Sequence, residues 1–135
     1  MNDYINASSL EAALDDVIDN ATKIAICPST ILSGSFPTYA LVASNKLSSL
    51  ISVTSSDFNK STIDGSVSLI LKSRFFSNAE VTGSGDMACI AVIDDSVTGS
   101  EVVKALFATS TKTVSAGTGF YLPVINLPIV AKTAS

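Results

Sequence analysis

The stretch VTGSGDMACIAVIDD, residues 81–95, sets a glycine-rich turn beside an apolar strand that ends in two adjacent aspartates, pieces from which phosphate-binding and metal-dependent sites are built. Gly83 and Gly85 could turn backbone amides towards a phosphate, and the adjacent Asp94 and Asp95 could hold a divalent cation. Each idea carries a spacing requirement. A dinucleotide fingerprint runs strand, G-x-G-x-x-G, helix; here the third glycine is missing and an apolar strand follows. Nor is there a G-K-[ST]. A calcium loop counted from Asp94 puts Ser96, Thr98 and Gly99 at ligand and turn places. Its twelfth position is then Ala105, so the bidentate carboxylate is missing. DDSVTGS reads instead as a hairpin turn. A small metal-assisted hydrolase built on Asp94 and Asp95 stays open as a remote alternative.

Other catalytic schemes lack their parts. The chain has no histidine, which removes the commonest general base and excludes Ser–His and Cys–His nucleophiles within one chain. No lysine has a serine three residues before it, and K-T-G is absent. Asp57 and Asp64 flank a turn with no second carboxylate placed beside them, so a glycosidase pair cannot be claimed. Cys27 and Cys89 lie in apolar runs and read as buried, reduced thiols in preference to a disulfide. The expectation is a protein that is not an enzyme and holds no cofactor or metal.

At 135 residues the chain fits one domain. It is 47% hydrophobic and only 15% charged, with a mean hydropathy of +0.45. Ser and Thr are abundant, as in strand-rich proteins. Such a surface is hydroxylated more than charged, and neighbouring subunits are expected to cover part of its apolar area. Net charge is −4 and the eight basic residues are scattered, so nucleic acid is not an expected partner. MNDYINASS lacks the basic flank and apolar core of a signal peptide. YLPVINLPIVA is too short to span a bilayer, so no membrane role is expected and folding in a cytoplasm is.

The elements that would position these residues follow from periodicity. In SSLEAALDDVIDN, residues 8–20, Leu10, Ala13, Leu14, Val17 and Ile18 mark one buried helix face. Ser8 and Glu11 have capping-box spacing, and Asn20 is a stop. Asp15, Asp16 and Asp19 are unfavourable near the helix C-terminus and read as a solvated face, with contact to a basic partner as the other reading. KIAICPS (23–29) is a buried strand, and the Ser-rich stretch 29–49 is a long excursion with one strand around residues 39–43. LISVTS (50–55) is a second strand. DFNKSTIDG (57–65) carries turn residues and opens the alternating strand SVSLILKSRFF. MACIAVI (87–93) is continuously apolar, as a core strand would be. Residues 98–110 read as strand over helix because of Val102, Val103, Phe107 and Thr109. Pro123 and Pro128 confine the last segment to a sheet edge or an extended arm, about 121–135. One helix and about seven strands predict a mainly β, antiparallel sandwich; a small α/β fold is the runner-up.

The order of these pieces resembles a loose group of small tailed-bacteriophage virion structural proteins of the decoration or tail-fibre-like kind. Residues 6–18, NASSLEAALDDVI, match a helix that often opens their sequences. IAICPS (24–29) matches a strand ending in a Cys-Ser or similar pair. Thr82-Gly83 with CIAVID (89–94), VKALFATS (103–110) and VSAGT (114–118) follow the later strand, hairpin and turn segments. Cys89 stands where the group has a histidine or aromatic, and the closing acidic motif is absent. The resemblance covers both ends well and the 30–60 region poorly, and it carries no catalytic residues.

The resemblance implies a virion component with a β-sandwich body, assembled in the host cytoplasm. Within that class the expectation is a capsid decoration, or cement, protein. It would bridge major capsid protein subunits, touch other virion proteins and form a homo-oligomer. A tail fibre, tail adaptor or receptor-binding component is the alternative. The expected contact residues lie at the N-terminus (Tyr4, Ile5), in the excursion (Phe36, Tyr39) and in the C-terminal segment (Leu122, Val124, Leu127, Ile129). For the C-terminal segment, packing onto the chain's own core is the equal alternative.

Overall fold

The computed structural model describes residues 7–63 and 66–130, with side chains at 11–61 and 67–127. Two α-helices and nine strands lie among the described residues: α1 Ala7–Asn20, β1 Lys23–Pro28, α2 Tyr39–Asn45, β2 Ile51–Ser52, β3 Phe58–Ile63, β4 Ser66–Leu71, β5 Arg74–Phe76, β6 Gly85–Asp94, β7 Val102–Val114, β8 Phe120–Leu122 and β9 Ile125–Val130. The protein is mainly β and antiparallel, with the expected N-terminal helix. Its strands form a main sheet β2-β1-β6-β7, a second sheet β3-β4-β9 and a ribbon β5-β8.

The main sheet explains why β6 reads as an unbroken apolar run: both of its faces are covered. One face presents Ile24, Ile26, Ile90, Val92 and Phe107, which pack with Leu14 and Val17 of α1, Phe58 of β3 and Val67, Leu69 and Leu71 of β4. The other presents Ala25, Cys27, Cys89, Ala91 and Ile93, covered by Ile31 and Val42 from residues 29–45. The alanines and cysteines on this second face are small, so a thin layer of one helical turn and one short helix closes it.

On α1, Leu14 and Val17 are buried and Ile18 is half-buried, while Ala13 is exposed. Asn20 ends the helix with its amide donating to the Asp16 carbonyl at 3.0 Å. The acidic row is not left to solvent alone. Lys60 of β3 reaches Asp15 at 2.8 Å and Glu11 at 3.8 Å, and Lys104 of β7 reaches Asp16 at 2.9 Å. The basic partner is therefore the chain's own pair of sheets.

Three local expectations need correction. Residues 39–45 form helix, not strand: the Thr38 hydroxyl accepts from the Leu41 amide at 3.2 Å, capping α2, and Val42 is buried one turn after half-buried Tyr39. Residues 58–63, expected as turn, form β3, an edge strand paired along its length with β4. LISVTS contributes only Ile51–Ser52 as strand, because Thr54 opens a 3-10 turn whose amide is held by Asp57 at 2.8 Å. By contrast residues 102–114 are strand, which excludes the helical alternative there. β9 is an edge strand with Pro128 opposite Ser68, the place a proline can occupy.

Candidate functional site

The glycine and aspartate features of residues 81–95 are absorbed by the fold. The amides of Thr82 and Gly83 both donate to the Leu47 carbonyl, at 3.1 and 3.0 Å, so they already hold an acceptor where a phosphate would need them. Asp94 Oδ1 accepts from the Ser96 amide at 3.0 Å and hydroxyl at 2.6 Å, shaping the hairpin turn before β7. Those two bonds hold its carboxyl below the ordinary carboxylate range. Asp95 Oδ1 accepts from the Thr22 hydroxyl at 2.6 Å and from Lys23 Nζ at 3.3 Å, clamping the end of β6 to the start of β1. No cluster of three or more metal-ligating side chains occurs among the described residues. Asp57 caps its own turn, and Asp64 lies outside the described residues.

The Asp95 clamp sets an acid dependence. The Thr22 hydrogen bond first, then Lys23, hold its carboxyl below the ordinary value of 3.8 despite some desolvation. A depressed folded value means the clamp's stabilisation is complete above 3.8 and is lost as pH falls through the lower folded value. Asp95→Asn is therefore expected to flatten the acid limb of a melting-temperature profile taken from about pH 6 to pH 2. Identical acid limbs for the two proteins would contradict this role.

Cys27 and Cys89 are direct cross-strand partners on β1 and β6, and both are fully buried free thiols. The neighbouring Cys89 thiol, with burial, pushes the Cys27 thiol up, while Cys27 draws the Cys89 thiol down. Sequence spacing gave no hint of this adjacency, because the register of two strands about sixty residues apart sets it.

The open features lie along β7, an edge strand with two irregularities. Ile93 pairs with Val103 and Val92 with Ala105, which leaves Lys104 as an extra residue, turned to Asp16. Further on, Cys89 pairs with Ala108 but Met87 with Lys112, so three residues, Thr109, Ser110 and Thr111, stand opposite Ala88 alone. A hollow adjoins each irregularity. The wider, about 480 Å³, lies between α1 and β7 and is lined by Leu14, Val17, Phe36, Leu106 and Leu127 beside the Lys104–Asp16 pair. The smaller, about 200 Å³, lies between the 109–112 segment and Tyr121, Leu122 and Ile125. Bulges recur where side chains are re-aimed for function, and neither of these is visible in the sequence.

The expected contact residues divide. Phe36 and Val124 are 59% and 54% exposed and available. Leu127 is half-buried, and Tyr39 packs partly inward over the second core face. Leu122 faces the main core and is almost wholly buried, which corrects its place among the outward contact residues. Leu122 and Leu127 pack inward because residues 120–130 form β8 and β9, paired with β5 and β4, where an arm was the alternative. Tyr4, Ile5 and the side chain of Ile129 lie outside the described residues. Sequence reasoning missed Phe75 and Tyr121, cross-strand partners on the ribbon that are 62% and 61% exposed. Compared with known proteins, the chain matches no family model, no curated protein and no solved structure.

Proposed function

We propose that the chain is a bacteriophage virion structural protein, a capsid decoration protein that bridges major capsid subunits and acts without catalysis. The observation that supports this reading is the outer side of the 29–45 layer. Its inner side seals a sheet face through Ile31 and Val42, while Leu32, Phe36 and Leu41 remain 43%, 59% and 38% exposed. Apolar side chains on so firm a support suit contact by burial, with few charged groups to desolvate. Phe36 also borders the wider hollow, which leaves room for a neighbour's side chain. The resemblance of the sequence at both ends agrees with this reading, and other copies of the chain are expected among its neighbours.

Copy number tests it. Quantitative gels of purified particles are expected to show hundreds of copies per particle. Phe36→Asp, at an exposed position, is expected to leave the isolated fold intact and lower bound copies by about tenfold or more. A handful of copies per particle would instead favour a tail fibre, adaptor or receptor-binding part.

A further inference from the structure

The smaller hollow is built differently from the wider one. One wall is three consecutive hydroxyl residues, Thr109, Ser110 and Thr111, followed by Lys112. They stand opposite a single residue of β6, so this stretch has left the regular ladder of the sheet. The facing wall is apolar, from Leu122, Pro123 and Ile125, with fully buried Met87 also in the lining. Tyr121 completes it with a ring 61% exposed, and its cross-strand partner Phe75 is 62% exposed.

Two further observations indicate what chemistry would fit. Thr109 Oγ1 is buried and has no hydrogen-bond partner among the described residues. A buried hydroxyl left unpaired is costly and calls for an explanation. Lys112 forms no salt bridge among the described residues and rests its ammonium 5.4 Å from the centre of the Phe120 ring, which fixes a donor beside the wall. Hydroxyls that donate and accept, one fixed ammonium donor and an exposed aromatic face complement a molecule with many hydroxyls around a ring of C–H groups. Lys112 is the single basic residue in the lining, which leaves the hollow poorly equipped for a phosphate. A partner's strand is also disfavoured, because the bulges and lysines of β7 interrupt the edge it would need. The volume, about 200 Å³, lies below the roughly 300–1,000 Å³ of ordinary small-molecule pockets and suits one six-membered ring.

We propose that this hollow binds one pyranose ring of a glycan, stacked against Tyr121 and hydrogen-bonded by the 109–112 segment. Thr109 Oγ1 gains its missing partner from a ring hydroxyl, and Lys112 donates to another. Phe75 extends the aromatic platform for the neighbouring sugar. This goes beyond the capsid-contact reading and does not depend on it, since binding is measured on the isolated chain.

The test is a titration of the full chain, followed by amide NMR shifts. The probes are methyl glycosides of glucose, galactose, mannose and N-acetylglucosamine, with inorganic phosphate as a separate probe. At least one glycoside is expected to give saturable shifts confined to residues around 109–112 and 121, with Kd near about 1 mM. Tyr121→Ala and Thr109→Val are each expected to weaken that binding by about tenfold, while Phe36→Ala leaves it unchanged. Thr109→Val keeps the side-chain shape and removes only the unpaired hydroxyl, so its melting temperature should hold or rise; lost binding in a folded variant then reports the hydroxyl itself. The proposal is overturned if no glycoside gives saturable shifts, if phosphate alone shifts these amides, or if both variants bind as the parent does.

Discussion

Phe107→Ala is expected to cost about 3–5 kcal/mol, the full penalty of truncating a buried phenylalanine. Phe107 sits on β7, an edge strand, yet it is fully buried opposite Ile90 and joins the core between the main sheet, α1 and β4. Removing its ring deletes apolar burial and leaves a cavity in the core that these elements share. Against a total stability of about 5–15 kcal/mol, that is a large fraction. Thermal unfolding followed by circular dichroism should show a fall in melting temperature on the order of 10–20 °C. Tyr121→Ala supplies the contrast: its ring is 61% exposed, so the same measurement should move by about 1 kcal/mol or less. Equal losses at the two positions would show that the core does not lie where the paired sheets put it.

Gly119→Ala is the second large effect, expected at about 3 kcal/mol, the upper range for overpacking. A methyl there would run into the Phe76 carbonyl oxygen, with backbone atoms of Ser77 and Asn78 close behind. Backbone cannot rotate away as a side chain can. The Gly119 amide also donates to Asn78 Oδ1 at 2.7 Å, and Phe120, the next residue, pairs with Phe76 across the ribbon. Gly117 has the opposite problem: its φ is +83°, but no atom lies within 4 Å of an added Cβ. Gly117→Ala should therefore cost only the left-handed strain, about 1–2 kcal/mol. Urea unfolding of the two variants should rank Gly119 well above Gly117 at unchanged m-value. The reverse order would mean that the ribbon does not press on residues 76–78.

These cases show where the sequence was readable. β1, β4 and β6 announce themselves because burial on one or two faces imposes alternation or an apolar run, whereas β7 was legible only through the Val, Phe and Thr content of residues 98–110, with helix as the rival reading. β3 does not announce itself, since it is an edge strand whose Asn59 and Lys60 are exposed and whose letters resemble a turn. α2, seven residues long, is too short for periodicity to speak; its signal was Thr38 as a cap, just after Pro37. The strand that follows Gly83 and Gly85 was legible, because it needed only local pattern. The Lys60 and Lys104 contacts to α1, the Cys27–Cys89 pairing and the three-residue irregularity in β7 were not. Each depends on the register between strands, or on packing between segments, that are distant in sequence. Local letters carry no information on such offsets.

The role proposed for this chain is to cover and bridge a capsid shell. Cryo-electron microscopy of the purified particle tests that most directly. The expected result is density for this fold on the outer capsid surface at junctions between capsid subunits, with the 29–45 segment against the shell. Density confined to the tail, or particles that lack the protein altogether, would contradict it.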